Sequence, residues 1–559
     1  MKGAIREIIA KALDGAIAGG ALKTRKPVIL ERPKREEFGD FSTNLAMLLA
    51  PEEGRSPRDI ASILVEGIAA SPVVARCEVA GPGFINIFLK RSYWYSILAE
   101  ILRKGEGYGD LDTGGGEKIQ VEFVSANPTG PLHIGHGRGA AVGDACANVL
   151  KAAGFDVTRE YYINDVGRQM ETLGLSLFLR YQELLGMPVE FPDDYYRGEY
   201  MKEIARDFLT KYGTRYRDAR PGEPGDDSLP VFIEFAKDSI MSGIKKDLAD
   251  FGVGFDVWYS EKDLFDKGLV EETLKELEGR NVLYEKDGAL WFRTTDYGDD
   301  KDRVLVKADG STTYFASDTA YHREKLKRGF KRIVDVWGAD HHGYQPRMKA
   351  LFKALGEDEE RLKIIFIQLV SLSRGGVPLK MSTRAGEFIT LREVMEEVGK
   401  DACRFFFLMR RPDAHLDFDL ELAKKQAPEN PVYYVQYCHA RIMSIMEFAR
   451  ERGVDVPDVV GPDTLKELSR LDQKEEVAII KHLAGFEEVI EKSAVEMEPH
   501  RVTFYLQELA GLFHPYYNRN RVVTDDPGLT TARLLLCRAV ATVVAKGLGL
   551  LGVSAPKKM

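Results

Sequence analysis

Two histidines three residues apart are the first side chains in this sequence with the type and spacing for chemistry. His133 and His136 close the stretch 127–136 (NPTGPLHIGH), where a run of helical periodicity begins. A three-residue spacing puts both rings on one helix face. The unsatisfied N–H groups of a first turn and the positive end of its dipole lie beside them. Two imidazoles at that place suit a polyphosphate, and Gly135 leaves room for a flat base against the backbone. The plain alternative is a glycine-rich helix start carrying two surface histidines. A further alternative is the dinucleotide fingerprint, since Gly135, Gly137 and Ala140 have its spacing and Glu160 follows about 20 residues on. That fingerprint places its first glycine at a strand end, whereas here about ten residues with Pro128 and Pro131 intervene. Zinc at His133/His136, or at His341/His342, lacks a third ligand at recognisable spacing.

The second place is the stretch 379–384 (LKMSTR), just after Arg374, Gly375 and Gly376. A flexible loop bearing Lys380 and Arg384 could close over a leaving pyrophosphate. Alone, the same residues read as a solvated basic turn.

These residues need elements to hold them. A β-type run at 119–124, a loop with two prolines, a helix over about 134–153 and a strand at 157–163 form a β–loop–α–β order, which argues for a parallel sheet. Residues 332–338 and 363–370 read as further buried strands. Asp287-Gly288 and Asp309-Gly310 sit between β-type runs and predict hairpins. Residues 170–300 read as mostly helical with a break at 221–227, and the chain after Thr390 as almost wholly helical. Before the sheet, 2–18, 37–50 (with Ser42 or Thr43 as N-cap) and 57–70 read as helices, 81–88 as a strand, and the glycine-rich 105–116 as a linker.

Composition sets the outer limits. The chain has 559 residues, 78 basic and 87 acidic, for a net charge of −9. That length exceeds one compact core, so two to four domains are expected. Net acidity excludes a protein that coats nucleic acid through bulk charge, but leaves room for a local basic face. No membrane span is expected, because the most apolar stretch, 531–552, carries Arg533, Arg538 and Lys546. The first 22 residues carry Glu7, Lys11 and Asp14, unlike a signal peptide. Five scattered cysteines without a CxxC pair fit a reducing cytoplasm rather than a disulfide framework.

Taken together, HIGH at 133–136 and KMSTR at 380–384, about 250 residues apart on a β–α–β chain, resemble the class I aminoacyl-tRNA synthetases. Within that class the sequence is similar to the arginyl-tRNA synthetases. The likeness rests on 122–127 (EFVSAN), 161–169 (YYINDVGRQ), 337–344 (WGADHHGY), 401–404 (DACR), the ending 551–556 (LGVSAP) and, near the N-terminus, 38–44 (FGDFSTN). It covers essentially the whole chain. The implied fold is α/β: a Rossmann-like parallel-sheet catalytic domain (113–425, with a helical insertion at about 170–300), a small N-terminal α+β domain that touches the tRNA elbow (1–112), and a C-terminal all-α anticodon-binding bundle (426–559).

The resemblance also implies the chemistry. Arginine is activated with ATP and Mg²⁺, and the adenylate is then esterified to the terminal ribose of tRNA(Arg). No zinc is implied, and the family points to a monomer in the cytoplasm. His133, Gly135, His136, Asp340, Lys380, Met381 and Ser382 match the ATP site, with His133, His136, Lys380 and Arg384 as its catalytic groups. Glu122, Ser125, Asn127, His136, Tyr314, Asp318 and His341 match the arginine site, where a guanidinium is best met by carboxylates in a planar fork. The sequence departs from the class at Thr383, where a second lysine is usual. That departure is the one feature favouring an RNA-binding relative without the chemistry; His133, His136, Glu122 and Asp318 stand against it. Phe84, Asn86, Tyr434, Tyr437 and Arg441 match tRNA contacts. The region 426–559 is net −2, yet from Pro499 onward 8 basic residues face 3 acidic ones, so its basic face is local. Tyrosines 433, 434 and 437 could stack on anticodon bases, or could equally pack in the core at helical spacing.

Overall fold

The computed structural model of the protein describes residues 2–33, 35–379, 389–454 and 461–559. Its centre is a five-stranded, all-parallel sheet. Across the sheet the strands run Leu362–Ile367, Arg332–Gly338, Lys118–Glu122, Asp156–Ile163 and Val257–Ser260. In chain order that is 5-4-1-2-3, the doubly wound arrangement. Its order reverses between the strands Lys118–Glu122 and Arg332–Gly338, and ligands bind outside the carboxyl ends of the strands at such a reversal.

Both faces of the sheet are covered, as a parallel sheet requires. Strand alternation sends Val334 and Val336 into the core shared with Val121 and with Ala140 and Ala141 of the helix Ile134–Ala152. Ile333 points the other way, into a second core with Phe315, Ala316 and Ala320 of the helix Tyr314–Lys327. Asp335 shares the side of Ile333 and is wholly buried there. Close packing on the first face depends on Gly143, where a Cβ would lie 2.2 Å from the Phe123 ring.

Residues 170–300 are mostly helical as expected, and the strand Val257–Ser260 is an addition to that expectation. Three helices, Arg168–Leu184, Glu199–Tyr212 and Leu229–Asp250, end at Asp250, and the chain then returns to the sheet before forming the antiparallel strands Leu283–Lys286, Ala289–Phe292 and Arg303–Val306. The hairpin at Asp287-Gly288 forms as expected, with φ of 53° and 75°, the signs a type I′ turn needs. Val306 and Thr312 pair around Asp309-Gly310.

The N-terminal unit is a three-stranded antiparallel sheet backed by helices. Here Phe41–Thr43 is a strand rather than part of a helix, and Val74–Ala80 is a strand the sequence reading did not find. The glycine-rich 105–116 is packed rather than loose: Tyr108 is buried, and Gly109 abuts Ile490 and Phe486. The C-terminal helices form a bundle closed by Pro527–Leu550. Among the described residues this one helix has the length and hydropathy of a membrane span, and 67% of that window is buried in the protein. All five cysteines are free.

Candidate active site

His133 is the N-cap of the helix Ile134–Ala152. Its Nδ1 accepts from the backbone N–H groups of Gly135 (3.1 Å) and His136 (3.3 Å), while His136 Nδ1 accepts from His133 N–H (3.3 Å). The histidines thus form the reciprocal capping box usually made by Ser and Glu. A nitrogen that accepts bears no proton, so in each neutral ring the proton sits on Nε2. Burial lowers the pKa of both; His136, with His133 beside it as a smaller cause, is held down to about 3. The rings stack with centroids 3.6 Å apart. The pair therefore offers neutral N–H donors rather than two cations. Gly135, Gly137 and Ala140 all lie inside the helix Ile134–Ala152 and Gly137 faces Leu391, so they serve the helix and not a dinucleotide turn.

Between the first strand and these histidines the backbone is strained. Val124 and Ser125 have φ of 68° and 39°, a region that costs non-glycine residues about 1–3 kcal/mol each. The bend lets the Ser125 hydroxyl donate to Glu122 Oε1 (2.9 Å), and Ser125 Oγ itself accepts from Tyr162 N–H at 3.1 Å. The Tyr161 hydroxyl donates to the carbonyl of Ala126 (2.8 Å), and Asn127 donates to Gln169 (2.9 Å).

At the carboxyl ends of the strands lies a cluster of acids. Glu122, Asp165, Glu261 and Asp318 all act on the Tyr162 hydroxyl, which has no hydrogen-bond partner among the described residues. Two of the four are neutralised. Glu122 Oε2 accepts from Lys325 Nζ at 2.6 Å, and Asp165 accepts two bonds from Ser260 with Lys237 3.8 Å away. Asp318 accepts from the Tyr344 hydroxyl and has no cation within salt-bridge distance among the described residues. Glu261 is 4% exposed, and its Oε2 makes no hydrogen bond of normal geometry among the described residues, though the Ser317 and Tyr162 hydroxyls lie close enough to favour its charged form. Burial, with Asp318 and Asp165 nearby, raises the Glu261 carboxyl to about 7. Burial also raises Asp318 and Glu122. A buried acid without its partner oxygen satisfied is an unusual cost, and the group that cancels it is a cation with several N–H donors.

The structure brings Glu122, Ser125, Asn127, His133, Gly135, His136 and Asp318 to this edge of the sheet. Tyr314 lies four residues before Asp318 on the same helix and is 63% exposed. Asp340 and His341 follow the strand Arg332–Gly338 directly and are both exposed, 3.6 Å apart. Lys380, Met381, Ser382, Thr383 and Arg384 lie outside the described residues. The chain on their far side is stitched to the histidine helix: Ile134 N–H donates to Ile389 O, and Leu391 N–H to Leu132 O. Glu261, Tyr162, Tyr344 and Lys325 were missed from sequence. For Glu261 the signal was the short run 257–260 (VWYS), which ends a strand just before it. Among the described residues no three His, Cys, Asp or Glu side chains gather as a metal site.

On the C-terminal bundle, Tyr437, Arg441, Phe448, Tyr517 and Lys558 line a groove of about 640 Å³. It continues for about 610 Å³ past Arg452, Arg519 and Arg521. Arg441 lies 4.7 Å over the Tyr437 ring and 4.6 Å over Tyr517. Tyr434 instead packs on His514, with ring centroids 4.5 Å apart. In the N-terminal domain Phe84 reaches the surface, whereas Asn86 is buried and accepts from the Ser42 hydroxyl at 2.9 Å.

Three family profiles match the chain: the arginyl tRNA synthetase N terminal domain over residues 3–89, the class I (R) tRNA synthetase catalytic domain over 97–411, and the DALR anticodon binding domain over 435–559. The chain is 55% identical to an arginine–tRNA ligase of Citrifermentans bemidjiense, with all of both chains covered. It is 54% identical to the arginine–tRNA ligase of Syntrophotalea carbinolica, again over all of both chains. Its fold is similar to that of Thermus thermophilus arginyl-tRNA synthetase, with a TM-score of 0.77, 23% identity and full coverage of both chains.

Proposed function

The chain belongs to the arginyl-tRNA synthetases and is an arginine–tRNA ligase of class I, acting on arginine, ATP and tRNA(Arg), and we propose that the crevice described above is where arginine is activated. The observation that carries this reading is the pair Glu261 and Asp318, two buried carboxylates beyond the carboxyl ends of the strands with no cation of their own among the described residues. A guanidinium is charged, planar and rich in N–H donors, so it satisfies both. Glu122 closes the fork beside them, and Tyr314 covers it from the helix start. Ser125 and Asn127, with His341, meet the amino-acid end, which directs the substrate carboxylate toward the histidine helix.

No side chain attacks. The arginine carboxylate displaces pyrophosphate from the α-phosphate of ATP, and the adenylate then passes to the ribose of the tRNA. The protein's share is positioning and charge stabilisation. His133 and His136 donate through Nε2 to the phosphate oxygens, reinforced by the helix dipole, and Gly135 admits the base. Asp340 stands on the ATP side. Lys380 and Arg384, with Met381 and Ser382, meet the departing pyrophosphate; the return of the chain to Leu132 and Ile134 supports that placement. Mg²⁺ arrives on the ATP phosphates, as is usual for an ion that keeps its waters and few protein ligands.

The groove of Tyr437, Arg441, Phe448 and Tyr517 takes unstacked anticodon bases, with Arg452, Arg519 and Arg521 on the phosphates. Tyr434 supports it through His514. Phe84 meets the tRNA elbow, and Asn86 holds the strand that presents it. The working units are 1–112, 113–425 and 426–559, in a monomeric cytoplasmic enzyme. Aminoacylation of tRNA(Arg) with arginine or with citrulline, which has the same shape but no charge, tests the guanidinium reading. Charging by arginine alone is expected; equal use of citrulline would refute the carboxylate fork.

A further inference from the structure

The adenylation chemistry makes no use of a buried lysine beneath the crevice. Lys325, on the last turn of the helix Tyr314–Lys327, is 0% exposed. Its Nζ donates to Glu122 Oε2 at 2.6 Å and to Asp335 Oδ1 at 2.8 Å, and lies 4.4 Å over the Tyr321 ring. Burial alone would discharge it, but Asp335 and Glu122 outweigh burial and raise its pKa. At Asp335 too burial is outweighed, chiefly by Lys325, and the carboxyl sits at about 2. The two acids are direct partners in the parallel pairing of the first and fourth strands. Like charges in that position repel, and without a cation one of them must move or take up a proton.

His322, three residues earlier on the same helix, makes a parallel tie. Its Nδ1 donates to the carbonyl of Asp318 at 2.8 Å, and its Nε2 is bonded to Asp335 Oδ2 at 2.8 Å. The helix that carries Tyr314 and Asp318 is thus pinned at two points to the fourth strand, and through Lys325 to the first. Glu122 in turn orients the Ser125 hydroxyl at 2.9 Å. We propose that Lys325 is a positioning residue for arginine selection: it fixes the spacing between Glu122, Ser125 and the helix bearing Asp318, and by holding Glu122 in an ion pair at the edge of the fork it leaves Glu261 and Asp318 as the unpaired carboxylates that meet the guanidinium. The inference rests on the reading of the crevice as the guanidinium site.

The test compares Lys325→Met, the double variant Lys325→Met/Glu122→Gln and Asp318→Ala with the wild-type enzyme. Arginine KM, ATP KM, kcat and unfolding temperature are measured for each. Lys325→Met should raise arginine KM at least about tenfold, the usual loss when a group that orients a ligand contact is removed, with ATP KM and kcat held within about threefold. The double variant, which removes the unpaired charge on Glu122, should recover unfolding temperature without recovering arginine KM. Parallel losses in arginine KM, ATP KM and stability, or a restored arginine KM in the double variant, would reduce Lys325 to a packing role. If Lys325→Met does not fold, the double variant is compared with Glu122→Gln alone, and an arginine KM no higher than in Glu122→Gln overturns the proposal. If Asp318→Ala itself leaves arginine KM unchanged, the reading of the crevice falls, and the role of Lys325 falls with it.

Discussion

Glu261 differs from the other acids of the crevice in having an oxygen without a hydrogen bond of normal geometry among the described residues. Its carboxyl is raised to about 7 by burial, with Asp318 and Asp165 adding to it. Two consequences have opposite signs. Arginine binds the ionised form, so arginine KM should rise as pH falls below about 7, by up to about tenfold per unit, and Glu261→Gln should flatten that profile while raising KM throughout. Stability runs the other way. Because the folded-state pKa lies above the unfolded one, the native state holds more protons between about 4.5 and 7, and stability is lost as pH rises through that window. Glu261→Gln should therefore unfold at a higher temperature than wild type at pH 8 and at the same temperature near pH 4. A variant no more stable at pH 8 would show that Glu261 is not held charged against burial. His133 and His136 were legible from spacing alone, because a helix start fixes its own geometry. Glu261 was not, because its role depends on a strand pairing about a hundred residues away in sequence, Ser260 beside Ile163.

The helix Ile134–Ala152 and the strand before it act as one unit. Gly143 sits where any side chain would strike Phe123, and Phe123 immediately precedes the strained Val124 and Ser125. Gly143→Ala should cost about 1–3 kcal/mol in urea unfolding through overpacking. It should also raise arginine KM, since Phe123 leads directly into the bend that aims Ser125. Lower stability with an unchanged arginine KM would separate the helix packing from the site. At this scale the sequence was informative where hydrophobic period is unambiguous. The strands at 118–122, 156–163 and 332–338 and the helix between them stood within two residues of expectation. Val257–Ser260 was hidden because four residues between helices carry no period, and Phe41–Thr43 because its three residues read as a helix cap. Only tertiary pairing, to Glu160–Ile163 and to Ile85–Ile87, makes either one a strand.

Across the whole molecule, Arg404 is the point where distant parts of the chain meet. Fully buried, it bonds Asp144 of the histidine helix (2.5 Å), the carbonyl of Leu551 at the end of the last bundle helix (2.8 Å) and the carbonyl of Phe251 after the insertion (3.2 Å). Gly552 is required beside it, since a Cβ there would fall on the guanidinium. Arg404→Met should destabilise the protein by about 3–5 kcal/mol by leaving Asp144 buried and short of a partner, and Asp144→Asn in the same chain should recover part of it. No change in the unfolding midpoint would mean that Arg159, 3.5 Å from Asp144, suffices. On the bundle, Arg441→Ala should weaken tRNA(Arg) binding with little change in its salt dependence, whereas Arg519→Ala should lower the salt dependence by about one ion. That joining of domains was legible only as the motif 401–404 (DACR) and the ending 551–556, with no sign that one touches the other. The most direct measurement is arginine-dependent ATP–pyrophosphate exchange by the intact enzyme with tRNA(Arg) present, for wild type and Asp318→Ala. The expected result is brisk exchange by wild type, and in Asp318→Ala an arginine KM raised about a hundredfold, the cost of a lost buried charge contact, with ATP KM within about threefold. An unchanged arginine KM in Asp318→Ala would place the guanidinium elsewhere and contradict the assignment of the crevice.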